Sequence, residues 1–362
     1  MHYAPYKFIS FKKFITSIPD KDPLPHRILK KSLGALPDNC GLVKRDKKGN
    51  IKEVSRDLLI SISRVLETDF TKEYWHLENP RDTLDTVFWT IAGGSFIADF
   101  SMDPSKPRIF AWGLPLVKEA SYYSLETLKG RNPREVPTAA CLPPEEVYDF
   151  VDTKELPSLT REDIVHYFSA GPLGIRVKAN NKAPKHLVNS KTGLIQFILS
   201  GQNSPYMNLV RLYLNLSKFP MMGITSGNYS SHGPKASLNR GTHHTLTKVM
   251  ENMGTLGIPI LAGPVHTSLP KGMEYNIEEA YELMNKPYLD LTPEKLESFK
   301  ENLLPLSVTI SEIKKHPKGH AVFEIKRHGS LHYDLLREHI TKRLNGEVVL
   351  DEDINRLVIS NY

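Results

Sequence analysis

A short basic motif is the clearest candidate for chemistry in this sequence. Lys129 and Arg131 stand two residues apart in the segment LKGRNPREVP, residues 128–137. In an extended backbone, residues two apart point to the same side, so both cations could contact one ligand. A planar guanidinium and a compact ammonium together suit a polyphosphate. The motif therefore predicts a phosphate-binding loop, and a solvated basic loop after a helix is the alternative for this segment taken alone.

A second motif, residues 221–233, ends an apolar run in small polar side chains. Its hydroxyl and amide groups belong to Thr225, Ser226, Asn228 and Ser230. Ser226 and Asn228 are two apart, so they could hydrogen-bond phosphate or ribose oxygens of one ligand without adding charge. Gly227 between them allows close approach of the backbone. The motif predicts part of a nucleotide site, and an ordinary polar turn after a strand is the alternative.

Two further arginines stand in predicted strands. Arg176 interrupts the apolar run PLGIRVKA, and Arg327 precedes Gly329 at the end of HAVFEIKRHG. A cation in an apolar strand is either paired structurally or reaches into a site. Both arginines are therefore candidate phosphate ligands, and each alone is an unspecific signal.

The composition is typical of a globular protein. Of 362 residues, 40% are hydrophobic and 24% are charged, and the net charge of +6 suits a phosphate-bearing partner. The two cysteines, Cys40 and Cys141, form no CxxC pair, which argues against a zinc site and a disulfide framework. We expect no metal ligands from the protein. No apolar run is long enough for a signal peptide or a membrane span, so we expect a cytoplasmic protein without membrane contact.

Alternating helices and strands predict an α/β or α+β fold. We expect helices at 54–70, 82–91, 118–130, 142–152, 194–201, 206–216, 244–257 and 330–344. We expect strands at 95–100, 109–114, 174–179, 223–228 and 320–329. The predicted organisation is a partly helical N-terminal extension over 1–80, a main domain over 81–336 with a helical insertion near 275–315, and a C-terminal tail over 337–362.

The order of the motifs resembles that of the YrdC-like family of threonylcarbamoyl-AMP synthases. A Gly-Gly-ended helix, a strand and a Trp-Gly-Leu element are followed by the basic motif, the Gly-x-Arg strand, the Ser-x-Asn motif and a late arginine. The residues that match are Lys129, Gly130, Arg131, Gly174, Arg176, Thr225, Ser226, Asn228, Ser230, Arg327 and Gly329. The resemblance runs from about residue 82 to residue 336, and the order of the motifs is more specific than any one of them.

The resemblance implies a twisted mixed sheet with flanking helices around a basic concave cavity. Members of the family condense ATP, bicarbonate and L-threonine into threonylcarbamoyl-AMP and release pyrophosphate, and the product serves adenosine modification in transfer RNA. The implied activity is that of an ATP-binding nucleotidyltransferase, with Mg²⁺ carried on the ATP and charge stabilised by Lys129 and Arg131. The implied nucleotide ligands are Lys129, Arg131, Arg176, Thr225, Ser226, Asn228, Ser230 and Arg327. Contact with RNA is expected to be weak and indifferent to sequence.

The segment before Gly113 departs from the family pattern. Arg108, Ile109 and Phe110 stand where the family has Thr-Asp-Thr, and Trp112 stands where it has tyrosine. Because this segment seats the amino-acid substrate in the family, Arg108, Phe110 and Trp112 are the candidates for a rebuilt acceptor site. The alternative is that the bulky side chains face the core. Two other activities stay open: a carbamoyl-AMP handling domain of a carbamoyltransferase, and a non-catalytic RNA- or nucleotide-binding module.

The basic motif yields the first testable prediction. Substituting Lys129→Ala or Arg131→Ala removes a charge-assisted contact worth roughly 1.5–3 kcal/mol. We expect each variant to bind ATP about tenfold more weakly or worse. Isothermal titration calorimetry measures the affinity, and an unchanged dissociation constant in both variants would remove the nucleotide site from this loop.

Overall fold

The computed structural model shows a large mixed sheet, a small antiparallel sheet and flanking helices. It describes residues 8–17, 26–34, 36, 42–56, 58–59, 86–87, 90, 95–100, 110–115, 138–155, 158–201, 204–217, 219–228, 246–254, 258–261, 308–319, 321–327, 329, 331, 333–343 and 347–350. The predicted α/β class, with a mixed sheet and flanking helices, is confirmed. The predicted basic cavity and the predicted domain limits stay predictions.

The first part of the chain forms a small sheet of its own, and we call the described residues between 8 and 59 the N-terminal unit. It contains β1 (Phe8–Ser10), α1 (Phe11–Ser17), α2 (His26–Gly34), β2 (Val43–Arg45) and β3 (Ile51–Ser55). The strands are antiparallel in the order β1-β3-β2. Phe14 of α1, Leu33 of α2 and Val54 of β3 are fully buried in the core. Neither the helices α1 and α2 nor the small sheet was predicted from the sequence.

The main sheet holds ten strands in the described part of the chain. Their bounds are β4 (Phe96–Asp99), β5 (Phe110–Pro115), β6 (Ala139–Cys141), β7 (Leu173–Lys178), β8 (Leu194–Leu199), β9 (Met222–Ser226), β10 (Ile260–Leu261), β11 (Thr309–Lys315), β12 (Ala321–Arg327) and β13 (Glu347–Leu350). The spatial order is β10-β4-β5-β9-β6-β8-β7-β11-β12-β13. Four of the nine pairings are parallel: β10 with β4, β6 with β8, β7 with β11 and β12 with β13. Because distant strands pair, the sheet brings together segments far apart in sequence.

Helices flank this sheet. They are α3 (Pro144–Val147), α4 (Arg161–Ser169), α5 (Pro205–Ser217), α6 (Leu246–Met253) and α7 (Tyr333–Arg343). A capping box of Thr160 and Asp163 begins α4, since each side chain accepts a hydrogen bond from the other residue's backbone N–H. The hydroxyl oxygen of the buried Tyr167 of α4 lies within hydrogen-bond distance of the backbone oxygen of Gly174, at 3.2 Å, and of Ser311 Oγ, at 3.0 Å. These contacts fix α4 against one face of β7 and β11.

The predicted helix over 194–201 is wrong, because this segment forms β8. Along Leu194–Leu199, burial alternates strictly between half-buried and fully buried residues, which is the period of two that a strand requires. Six apolar or amide residues in a row fit either structure, and pairing with β6 and β7 decides for the strand.

Three other predicted segment limits differ from the structure. The predicted helix over 54–70 begins too early, because Val54 and Ser55 close β3 and helical residues follow from Arg56. The end of the predicted insertion, Thr309–Lys315, is the strand β11 and lies between β7 and β12. α7 runs across the predicted boundary at 336, and β13 pairs with β12, so these C-terminal segments belong to the main sheet and its cover. The helix predicted over 118–130 lies outside the described residues.

Candidate functional site

The end of β9 carries the Ser-x-Asn motif in a tightly packed position. Gly227 donates its backbone N–H to the backbone oxygen of Phe110 over 2.7 Å. A Cβ at Gly227 would lie 2.9 Å from that oxygen and 3.2 Å from Cγ2 of Ile97, so only glycine lets β9 leave the sheet this close to β5. The next residue, Asn228, has a buried Oδ1 that accepts no hydrogen bond from the described residues. The turn therefore presents an amide acceptor that a ligand donor could satisfy.

Strand register places Ser226 on a definite face of the main sheet. Ser226 and Ile224 are two apart on β9, so their side chains share a face. Ile224 pairs with Ala139 of β6, which therefore points the same way. The opposite face at this point carries Ala140, which is fully buried.

The same face continues to Arg176 across β8 and β7. Ala140 pairs with Phe197 of β8, so the neighbouring Gln196 lies on the side of Ser226. Gln196 pairs with Arg176, and Arg176 Nε donates a hydrogen bond to Gln196 Oε1 over 2.8 Å. Ser226 and Arg176 thus share one side of the sheet. We call it the Arg176 face and define it by Ser226, Gln196, Arg176 and their in-register neighbours.

A β-bulge brings Arg327 to the Arg176 face. Arg176 pairs with Glu312 of β11, and Ile310 lies two residues earlier on the same face. The register shifts between Ile310 and Ser311, so that Ile310 pairs with Arg327. Without the shift, Arg327 would lie on the same face of the sheet as Ile325, which packs in the core. The shift places Arg327 on the opposite face. Its Nε and Nη2 both donate to the backbone oxygen of Val308, over 3.1 and 2.9 Å.

The Arg176 face carries more positive than negative side chains among the described residues. Burial lowers the pKa of Arg176, and the positive charge of Arg327 lowers it further, while Glu312 opposes both. Lys314 lies 3.5 Å from Glu312 and 2.6 Å from Glu324, and Lys326 lies 2.8 Å from Glu324. With Lys178, two residues after Arg176 on the same strand, five cations therefore stand against two carboxylates among the described residues on or beside this face. Such an excess of positive charge favours an anionic ligand.

Three predicted site residues lie on the other side of the sheet. Thr225 alternates with Ser226 and pairs with Trp112, and Phe110 shares the face of Trp112. Thr225 is 6% exposed, and Phe110 and Trp112 are completely buried. The structure does not bring these side chains together with Ser226 and Arg176. Their burial favours the alternative in which the two aromatic residues pack in the core.

The remaining predicted residues lie outside the described part of the chain. These are Lys129, Arg131 and Ser230 of the nucleotide site and Arg108 of the acceptor site. Sequence reasoning missed Gln196 and Glu312, because each stands in a segment that was predicted to be helical. Neither LIQFIL nor TISEIK alternates strictly between polar and apolar residues, so the sequence carries no periodic signal that distinguishes these strands from helices.

Within the described residues, no three His, Cys, Asp or Glu side chains gather in a way that could hold a metal ion. None of the helices that the structure describes is long and apolar enough to cross a membrane.

The close packing at Gly227 gives a second prediction. Gly227→Ala forces a Cβ against the backbone oxygen of Phe110, and overpacking of this kind typically lowers the free energy of unfolding by about 1–3 kcal/mol. Urea denaturation followed by circular dichroism measures the change. Gly254→Ala is the matched control, since no atom lies within 4 Å of its Cβ position. Equal unfolding midpoints in the two variants would contradict the close approach of β9 and β5.

Comparison with known proteins finds distant structural similarity. No protein-family model matches the sequence, and no curated protein matches it. A doubly substituted Sua5 from P. abyssi is 14% identical with a TM-score of 0.44, and the match covers 75% of this chain and 58% of that one. P. abyssi Sua5 complexed with L-threonine is 14% identical with a TM-score of 0.43, over 74% of this chain and 59% of that one. E. coli YciO is 13% identical with a TM-score of 0.38, over 72% of this chain and 96% of that one. The match thus spans less than two thirds of the Sua5 length, and similarity this distant concerns the fold alone.

Proposed function

We propose that this protein is an ATP-dependent nucleotidyltransferase that makes a carbamoyl-type acyl-adenylate from ATP, bicarbonate and a small amino-acid or amine acceptor. The single observation that carries the proposal is the register of the main sheet, which aligns Ser226, Arg176 and Arg327 on one half-buried, positively charged face. These residues come from three separate motifs of the sequence. A triphosphate needs cations and neutral donors on one surface, and this face offers both.

Arg176 is well suited to hold a phosphate group. Its Nε is engaged with Gln196, which fixes the plane of the guanidinium. Within the described residues, the hydrogen bonds of Arg176 use Nε alone, so the two terminal nitrogens keep their donors for a ligand. Because the side chain is half-buried, a bound phosphate would be partly shielded from water, which strengthens the interaction.

The chemistry follows from where negative charge develops. The acceptor amine and bicarbonate form a carbamate with loss of water. A carbamate oxygen attacks the α-phosphorus of ATP, the bond to the β-phosphate oxygen breaks, and pyrophosphate leaves. Lys129 and Arg131 of the basic motif, with Arg176 and Arg327 from the sheet, would stabilise the charge on the phosphoryl oxygens and on pyrophosphate. Ser226 and Asn228 would bind the nucleotide without reacting. Mg²⁺ would arrive with ATP and neutralise phosphate charge.

A resemblance to transfer-RNA modification enzymes extends the proposal to the fate of the product. The mixed anhydride of carbamate and AMP is activated for transfer to a nucleophile. In the resembled family this product serves the modification of adenosine in transfer RNA, and we propose the same use here.

Arg176 gives the third prediction. In a pyrophosphate-release assay with ATP, bicarbonate and a panel of amino acids and amines, Arg176→Ala should lower kcat/KM for ATP about tenfold or more, because a charge-assisted contact is lost. Lys178→Ala is the matched control: Lys178 lies two residues on along β7, shares the face and donates to the backbone oxygen of Thr192. Equal losses in both variants would contradict a specific role of Arg176. A wild-type protein that binds ATP in calorimetry and releases no pyrophosphate with any acceptor would instead fit the non-catalytic module.

The fourth prediction concerns the acceptor. A solved Sua5 structure holds L-threonine, but β5 here turns Ala111, Gly113 and Pro115 toward the Arg176 face, and none of these side chains can bond a hydroxyl. A site that makes no hydrogen bond to the substrate hydroxyl distinguishes isosteric substrates by a kcat/KM ratio of about 100 at most. A site that does make this hydrogen bond reaches a ratio of about 10⁴. We therefore expect L-threonine to be a poor substrate with little advantage over its isostere L-valine. A preference of about 10⁴ for L-threonine, with saturation at modest concentration, would show that the acceptor site reads a hydroxyl after all.

A further inference from the structure

A cation and a carboxylate stand side by side on the Arg176 face. Arg176 of β7 pairs in register with Glu312 of β11, so the two side chains lie on the same face of neighbouring strands. Burial lowers the pKa of Arg176 and the charge of Arg327 lowers it further, whereas the carboxylate of Glu312 raises it, so the two groups are close enough to interact. Among the ion pairs of the described residues, however, none joins these two side chains directly.

Glu312 has fewer partners than Glu324, the carboxylate that pairs with it across β12. The side chain of Glu312 is 16% exposed, and its one ion pair in the described part of the chain is with Lys314 over 3.5 Å. Glu324 is 24% exposed and is held by Lys314 over 2.6 Å and by Lys326 over 2.8 Å. The hydrogen bond of Lys314 thus goes to Glu324, and Glu312 accepts none from the described residues. A mostly buried carboxylate calls for a hydrogen-bond donor, which a ligand can supply.

Arg176 and Glu312 together offer donors and an acceptor to one small ligand. Nε of Arg176 is bound to Gln196, which fixes the plane of the guanidinium, and the terminal nitrogens carry N–H donors for the oxygens of an anion. Glu312 accepts from a group that carries a proton. Because neighbouring strands lie about 4.8 Å apart, a ligand that contacts both side chains is compact. Such a ligand combines oxygen acceptors with an O–H or N–H donor.

We propose that Arg176 and Glu312 form the binding site for bicarbonate. Two bicarbonate oxygens accept from the planar fork of the guanidinium, and the O–H group donates to Glu312. Bicarbonate uses two of the terminal N–H groups of Arg176, and the others stay available to phosphate. This inference rests on the proposed function, which supplies bicarbonate as a reactant, and it names the residue that selects bicarbonate over anions without a proton.

The acceptor amine is a less suitable occupant of this site. A carboxylate stabilises an amine as its ammonium ion, and an ammonium nitrogen has no lone pair with which to attack the carbon of bicarbonate. Bicarbonate keeps its electrophilic carbon while its proton is shared with Glu312 in a hydrogen bond. The chemistry of the carboxylate therefore favours the one-carbon reactant over the amine.

Two variants at position 312 separate hydrogen bonding from charge. Glu312→Met and Glu312→Gln remove the same negative charge, but only glutamine keeps an oxygen that accepts the O–H group. In the pyrophosphate-release assay, Glu312→Met should raise KM for bicarbonate about tenfold or more, because a charge-assisted hydrogen bond is lost, while KM for ATP does not rise. KM for bicarbonate should be about threefold or more lower in Glu312→Gln than in Glu312→Met. Urea denaturation checks that both variants fold.

A direct binding measurement does not require turnover. Line broadening of isotope-labelled bicarbonate in NMR spectra gives its dissociation constant, with an ATP analogue present that carries a methylene group in place of the α–β bridging oxygen. Nitrate is the control anion, because it has the shape and charge of bicarbonate but no proton to donate. Glu312→Met should bind bicarbonate about tenfold more weakly and nitrate at least as tightly as the unsubstituted chain does.

Three results would overturn the proposal. If Glu312 only adds negative charge, both variants bind bicarbonate more tightly than the unsubstituted chain and to the same extent. If KM rises for the acceptor and not for bicarbonate, Glu312 binds the amine. If the unsubstituted chain binds no bicarbonate by NMR, the site does not exist. Failure of the proposed function looks different: a chain that binds bicarbonate through Glu312 and releases no pyrophosphate supports the site and contradicts the reaction.

Discussion

The register shift between β11 and β12 is the constraint on which the charge distribution of the main sheet depends. Two residues of β12, Lys326 and Arg327, stand where regular pairing would allow one, and Arg327 therefore pairs with Ile310. Without this shift, alternation would send the guanidinium to the face that packs on Tyr167 of α4. Burying a charge there without a partner would cost several kcal/mol. One extra residue in β12 thus places the charge of Arg327 beside Arg176, whereas regular pairing would bury it in the core.

Arg176 shows how the sheet holds a charged group at half burial. The flanking strands supply one partner each in register, Gln196 on β8 and Glu312 on β11. The amide fixes the guanidinium without neutralising it, and the carboxylate offsets part of the cost of burial. Burial and the charge of Arg327 lower the pKa of Arg176, but a guanidinium ordinarily loses its proton so far above neutral pH that the group stays charged. The arrangement therefore keeps a fixed positive charge that a ligand can use.

The sequence predicts local features of this protein better than its pairings. Buried strands such as Phe96–Asp99 and the short helix Pro144–Val147, which begins with proline, follow from apolar runs and proline positions, and both were predicted. The segment Leu194–Leu199 is compatible with a helix from its sequence alone, because nothing in a run of apolar residues excludes a helix. Ser226 and Arg176 were chosen from their types and spacing, yet their common face follows from pairings across four strands. No local pattern carries that information. For the same reason, the sequence does not predict that Trp112 and Ser226 lie on opposite faces of the sheet.

The two positively charged regions differ in how they could recognise phosphate. On the Arg176 face, the guanidinium groups are half-buried and anchored, Arg327 by two hydrogen bonds to Val308 and Arg176 by one to Gln196. Anchored donors lose little conformational entropy on binding and can define one position for one ligand. The lysines of the N-terminal unit, Lys47 and Lys48 among them, are exposed ammonium groups on flexible stems. They gain mainly from counterion release, which salt weakens strongly. Added salt should therefore weaken phosphate binding at the half-buried Arg176 face less steeply than it weakens any contact of phosphate with these exposed lysines.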